Sequence, residues 1–332
     1  MKKTLLRAAA LGLTLLTLAA CGKVEPIEPT EEELAVVMQA AGYDICYDEL
    51  RYYTCNLKDQ MAGYYGTDIW ASESTAAPYL EELKSGVADM GRYNAAVLSL
   101  CAEFGISIDE TAIQEDVQAE VEALVEECGS MKEYQAALAE YHMTDRLFRY
   151  MTGVTLCETE LYNVLLDLGL LDNSDEGAEA FFASDDFIRT LHIYIGNDAG
   201  DSVDANRAEA EAILKELDAG ADFNTLIGRH SEDFYMTTTN GYYFTRGEMD
   251  VSYETAAFAL AENTYSDVVA TDTGFYIIQR LPKDADYINR NFEDLKHQYL
   301  SALFYNMIEA RRDEITLTET AYGQSLSLWS IE

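Results

Sequence analysis

Two hydrophobic periods divide this chain, and they meet near Phe187. From about residue 34 to 183 apolar residues recur at helical spacing. Val117, Val121, Leu124, Val125 and Cys128 share one stripe, Tyr134, Ala137, Leu138 and Tyr141 a second, and Leu161, Val164, Leu165 and Leu168 a third. Such stripes must be buried against one another, so this half reads as packed amphipathic helices. Ser130 with Glu133 spells a capping box, and Asp109 and Thr144 stand where N-caps are expected. Its one histidine, His142, lies at a helix boundary with no partner in reach of the pattern, and no catalytic constellation is visible there.

From Phe187 the period becomes two. FIRTLHIYI sets Leu191, Ile193 and Ile195 on one side and Thr190, His192 and Tyr194 on the other, as in a half-buried strand. The acidic loop GNDAGDSVDAN leads to a helix with Ala210, Ile213, Leu214 and Leu217 on one face, ended by Gly220. DFNTLIGRH is a short helix, YYFT a strand, SYETAAFALA a helix, and VVAT and FYIIQRL two closing strands. The order is β-α-α-β-α-β-β over residues 185–284. Beyond it, NFEDLKHQYLSALFYNMIEARR carries Phe292, Leu295, Tyr299, Leu303 and Met307 on one stripe. This stripe is expected to pack back on the N-terminal helices, with alternating Leu326 and Leu328 adding a strand beside VVMQAAGYDI. The fold class is then α+β: a helical domain built from residues 34–184 and 285–332, interrupted by the mixed unit.

Residues 1–20 read as a targeting leader. Lys2, Lys3 and Arg7 precede an apolar stretch too short to span a bilayer comfortably, and LAAC ends it at Cys21. Ala19 and Ala20 before that cysteine resemble the lipobox of bacterial lipoproteins, which implies lipidation of Cys21 and anchorage on the outer face of a membrane. An ordinary secretory signal is the alternative. Residues 21–33, rich in Pro and Glu, are expected to form an extended acidic tether. The formal net charge of −38 excludes nucleic acid as a partner. The 48% apolar content and 23 tyrosines exclude disorder. Cys46, Cys55, Cys101, Cys128 and Cys157 are odd in number, and no CxxC or Cys/His cluster points to zinc. They read as buried thiols, with one or two disulfides open outside the cell. No metal and no cofactor is implied.

Several spaced motifs in the mixed unit, LHIYI, ADFNTLIGRHSED, NGYYFTRGEM, YETAAFAL and VVATDTGFYIIQRL, resemble the parvulin family of peptidyl-prolyl isomerases. With a lipobox and helical flanks, the whole resembles PrsA-type foldase lipoproteins, relatives of SurA-type chaperones. The resemblance implies a helical chaperone domain with an inserted parvulin domain. It also implies a proline pocket at Met249, Tyr253 and Phe258, a network histidine at His192, Asp233 facing the substrate amide, and a hydroxyl at Thr273. Each has a plainer reading: three core side chains, a hydrogen-bonding strand histidine, a helix-exit aspartate accepting backbone N–H groups. The family pattern Gly, any residue, His, Ile, Ile is here Gly274, Phe275, Tyr276, Ile277, Ile278. Tyr276 keeps a hydroxyl but loses a ring nitrogen and titration near neutrality. It is expected on the His192 face, its phenol directed to Thr273 or His192.

The resemblance therefore implies an extracytoplasmic foldase acting on X-Pro bonds of secreted chains, with unfolded proteins and a membrane as partners and a homodimer left open. Asp198, Asp201 and Asp204, with no base before Arg207, disfavour phosphorylated ligands. The alternative is a non-catalytic holdase in which Tyr276 marks a degenerate site.

Overall fold

The computed structural model describes residues 24–197, 202–237, 240–271 and 273–332. Cys21, Asp198 and Asp201 lie outside them. The chain divides into two compact units. The first holds residues as far as Leu57, Pro78–Leu168 and Ile308–Glu332; the second holds Lys58–Ala77 and Gly169–Met307.

In the first unit, strands β1 (Val36–Ala40) and β2 (Tyr43–Cys46) form an antiparallel hairpin before helix α1 (Tyr47–Tyr65), which runs on into the second unit. Helices α2 (Leu80–Glu103), α3 (Thr111–Cys128), α4 (Met131–Glu140) and α5 (Asp145–Asp167) follow. The stripes read from sequence are largely the core. Val117, Val121, Tyr134, Leu161 and Leu165 are buried, whereas Leu168, one residue past the end of α5, is 60% exposed. Ser130 and Thr144 cap α4 and α5 by accepting the Glu133 and Leu147 N–H groups. Asp109 does not cap α3; Glu110 occupies that position, and its side chain accepts the Ser107 N–H instead of a helix N–H.

The segment before β1 is extended but held. Val24 N–H donates to Glu122, Ile27 N–H donates to Asp145 at 3.0 Å, and both side chains pack on the Val121–Tyr134 cluster. Alternating apolar residues in an acidic stretch give it one face to bury, so it is not a free spacer along its whole length.

The second unit contains helix α6 (Asp175–Ala183) and the mixed domain: β3 (Ile188–Gly196), α7 (Val203–Asp218), α8 (Phe223–His230), β4 (Tyr242–Phe244), α9 (Val251–Ala259), β5 (Val269–Ala270) and β6 (Gly274–Leu281). This is the β-α-α-β-α-β-β order read from the sequence. The sheet is antiparallel throughout, in the order β4-β3-β6-β5. Alternation sorts its two faces. Leu191, Ile193, Ile195, Phe275 and Ile277 pack on α7 and α8 through Ile213, Phe223 and Leu226. Ile188, Phe244 and Ile278 pack on α9 through Tyr253 and Ala257. Gly274 opens β6 because a Cβ there would lie 2.2 Å from the Ile195 carbonyl oxygen.

The C-terminal helix α10 (Phe292–Glu314) is divided between the units at Met307 and Ile308. Its first turns belong with α6: Phe292 packs edge-on against Phe182, and Tyr299 donates to Asp172 at 3.0 Å. Its last turns belong with the first unit, where Arg311 reaches Ser99 on α2. The stripe from Phe292 to Met307 therefore falls in the second unit and not with the N-terminal helices as expected; only the turns from Ile308 onward lie in the first unit. A late strand does pair with β1, but it is β7 (Leu317–Glu319); residues 321–325 are helical, and Leu326 and Leu328 form no strand.

Candidate active site

β3 carries Thr190, His192 and Tyr194 to one face of the sheet, and the antiparallel register sets Tyr276 directly across from Tyr194. His192 is 3% exposed, and both of its ring nitrogens are engaged. Nε2 lies 3.0 Å from Asp233 Oδ2, and Nδ1 lies 3.0 Å from the Tyr253 hydroxyl. A carboxylate only accepts, so Nε2 carries the proton, and in the neutral ring Nδ1 accepts from Tyr253. The Tyr253 oxygen in turn lies 2.9 Å from Thr190 Oγ1. Burial raises the Tyr253 phenol well above its ordinary range, so it stays protonated.

Asp233 is held in place at α8's exit. Its Oδ2 accepts from His192 and, at 3.1 Å, from the Tyr242 hydroxyl, while Oδ1 accepts the Tyr235 N–H at 2.9 Å. The His192 hydrogen bond, against the opposing effect of burial, holds its carboxyl below the usual carboxylate range. Oδ1 thus does what a helix-exit aspartate does, accepting a backbone N–H, while Oδ2 is shared by His192 and Tyr242.

Tyr276 shares the His192 face, as alternation requires, but contributes a ring edge. Its centroid is 5.0 Å from the imidazole at 87°, and it stacks on Tyr194 at 4.6 Å. Burial pushes its phenol up to about 12, opposed by a hydrogen bond from Thr273. With both imidazole nitrogens taken, the phenol is directed to Thr273 and not to His192. Thr273 is itself exposed, and its carbonyl accepts from Tyr194 at 2.7 Å.

Of the three residues assigned to a pocket, Met249 and Phe258 are half-buried and pack, with Tyr276 and Val269, on the small Ile188–Ile278 cluster. Tyr253 is different. It is 1% exposed and acts from beneath the histidine. Glu254 shapes the approach to Met249, its Oε2 accepting the Gly247 and Met249 N–H groups at 2.7 and 3.3 Å. The Arg246 guanidinium lies 4.1 Å from the Phe258 ring centroid. Tyr242, Glu254 and Arg246 were not singled out by sequence reasoning; period-two alternation through NGYYFT places Tyr242 on the His192 face and was the available signal. Among the described residues no cluster of His, Cys, Asp and Glu is arranged to hold a metal ion.

The arrangement is a hydrogen-bonded His–Asp pair on the sheet face that also carries the Ile188–Ile278 cluster with half-buried Met249 and Phe258. Residues 182–283 match the PPIC-type PPIase domain. The chain is 33% identical over 96 residues to foldase protein PrsA 2 of Bacillus cereus, covering 26% of this chain and 34% of that one. It is 25% identical over 186 residues to foldase protein PrsA of Geobacillus kaustophilus, covering 55% and 59%. It thus spans less than two thirds of either relative. A crystal structure of the peptidylprolyl isomerase PrsA from Bacillus anthracis aligns at 19% identity over 66% of this chain and 94% of that one, with a TM-score of 0.30. Residues 182–283 therefore belong to the PPIC-type peptidyl-prolyl isomerase family, set in a chain similar to the PrsA foldases.

Proposed function

We propose that this chain is an extracytoplasmic foldase, anchored through a lipid on Cys21, that isomerises unphosphorylated X-Pro bonds in secreted proteins. Rotation about such a bond is slow because amide resonance must be broken, and no bond is cleaved. A catalyst therefore needs only to favour the twisted amide over the planar one. The observation that carries this reading is the His192–Asp233 pair, 3.0 Å apart, held beside half-buried Met249 and Phe258. Met249 and Phe258 would receive the proline ring, while Asp233 and His192 set the polar field at the rotating amide. Arg207 supports the preference for unphosphorylated chains: its guanidinium lies 4.9 Å from the Phe275 ring centroid, on the sheet face opposite His192.

The second reading, a holdase without catalysis, is favoured by one observation. Tyr276 replaces the family's second histidine and offers His192 only a ring edge. Exchange NMR on short X-Pro peptides with the full-length chain separates the two. Acceleration over the uncatalysed rate that disappears in Asp233→Ala supports the enzyme, with phosphoserine-proline peptides turned over more slowly. A parent rate equal to the uncatalysed rate, with retained suppression of client aggregation, establishes the holdase.

A further inference from the structure

The phenol that completes the histidine network sits on β4, not on β6. We propose that Tyr242 is a positioning residue for the His192–Asp233 pair, fixing the carboxylate with its hydroxyl and the imidazole with its ring. This deepens the isomerase reading and rests on it for its catalytic consequence, though not for its structural one.

Three observations converge. The Tyr242 hydroxyl donates to Asp233 Oδ2 at 3.1 Å, the same oxygen that receives His192. Its ring lies nearly parallel to the imidazole, 5.5 Å away at 18°, whereas Tyr253 and Tyr276 meet that imidazole edge-on at 86° and 87°. The backbone is built to bring it there. Gly241 has φ +69°, and a Cβ on it would lie 2.4 Å from the Thr190 carbonyl oxygen, so the turn presses β4 against β3 with Tyr242 opposite Thr190. The imidazole is thus clamped by three rings and two hydrogen bonds, and rotation about its own axis would break both bonds. Tyr276 has neither the free nitrogen partner nor the orientation to do this.

The groups around Asp233 are His192 from β3, Tyr242 from β4, Tyr253 from α9 and Tyr276 from β6, with Tyr235 and Glu232 on its own loop. The tyrosines on β4, α9 and β6 are raised by burial and stay neutral where Asp233 titrates. Loss of the Tyr242 donor therefore leaves His192 and the Tyr235 N–H to hold the carboxylate, and its affinity for a proton rises.

The test uses the full-length chain with Tyr242→Phe, which keeps the ring, and Tyr242→Leu, which does not. For Tyr242→Phe we expect kcat on an X-Pro peptide to fall about tenfold, the size of one hydrogen bond to a charged group. KM and the melting temperature should stay unchanged, and the acid limb of the pH profile should move to higher pH. Tyr242→Leu should fall further. The Asp233 carboxyl carbon, followed by NMR, should titrate at higher pH in Tyr242→Phe than in the parent. Superimposable Asp233 titrations overturn the proposal, as does a loss of rate that follows a loss of melting temperature without movement of the acid limb. A parent that does not isomerise peptides removes only the functional reading, because the Asp233 titration still decides what Tyr242 does.

Discussion

The Tyr253 hydroxyl stands 3.0 Å from Nδ1 of His192 with 1% of the residue exposed, so the imidazole is anchored from inside the domain by a group that solvent does not reach. Tyr253→Phe leaves His192 Nδ1 without that partner and Thr190, itself fully buried, without a partner for its hydroxyl. The expected cost is about 1–3 kcal/mol, the penalty for orphaned buried polar groups. Chemical denaturation should show a lower midpoint at unchanged slope. A midpoint equal to the parent's contradicts the anchoring role.

Tyr276 meets His192 through its ring. Tyr276→Phe removes only the hydrogen bond with exposed Thr273 and keeps the packing on His192, Tyr194 and Tyr253. Its isomerisation rate should stay within about twofold of the parent, since an exposed neutral hydrogen bond adds little net energy. Tyr276→Ala removes edge-to-face contacts of about 0.5–1.5 kcal/mol and should slow the reaction by up to about tenfold. With the phenol raised to about 12, no limb of the neutral pH profile should belong to Tyr276. Equal rates in Phe and Ala variants would remove the ring from the mechanism.

Much of this geometry was written in local pattern. Alternation in FIRTLHIYI and FYIIQRL is enough to place His192 and Tyr276 on one face, because strand side chains have a strict period of two. It does not say which oxygen meets which nitrogen. The resemblance implies Tyr253 for the pocket, but not that its hydroxyl meets His192 Nδ1 with 1% of the residue exposed, since helix spacing reports the face and not the depth. Alternation gives Tyr242 its face but not its contact with Asp233, which depends on how closely β4 approaches β3 at Gly241. The start of α10 was misjudged for a related reason: one long helix can be divided between two units, and a hydrophobic pattern has no mark where the partner changes.

A buried carboxyl in the first unit predicts a pH dependence of stability. Glu49 is 1% exposed, and burial pushes its pKa up to about 7, against hydrogen bonding from Tyr53 at 2.7 Å and the nearby Arg146. The folded protein therefore holds this proton more tightly than the unfolded chain. The sign follows: the contribution is complete below the ordinary glutamate range and is lost as pH rises through about 7. Its size is on the order of 3 kcal/mol. Glu49→Gln, which keeps an acceptor for Tyr53, should flatten the stability profile between mildly acid and mildly alkaline pH. A profile of unchanged slope in that variant would show that Glu49 ionises without cost.

Cys21 lies outside the described residues, and its proposed lipidation is tested in cells. Cys21→Ser should move the protein from the membrane fraction to the medium, because it removes the thiol that would carry the acyl chains. Unchanged membrane retention would remove the lipid anchor from the proposal.

Aromatic contacts carry the packing of this domain past residues 185 and 284, the limits that the strand pattern marks. Phe187 immediately precedes β3, and its ring lies 4.9 Å from Phe182 and 5.7 Å from Phe181, both on α6. Phe182 meets Phe292 edge-on at 5.6 Å, Phe181 meets Tyr299 at 5.4 Å, and Tyr243 of β4 stacks on Tyr287 at 4.7 Å and 6°. Phe182 and Phe187 are 3% and 0% exposed. Cutting the chain at 185 and 284 keeps the whole sheet but removes Phe181, Phe182, Tyr287, Phe292 and Tyr299 from this cluster and bares Phe187. Losing one buried aromatic costs about 3–5 kcal/mol, which corresponds to a fall in melting temperature of about 10 °C or more for a domain of this size. A fragment of residues 169–307 should therefore melt cooperatively well above a fragment of residues 185–284, and only the shorter one should bind a hydrophobic dye. Equal melting temperatures would mean that α6 and the first turns of α10 are appendages, and that the strand pattern alone marks the domain.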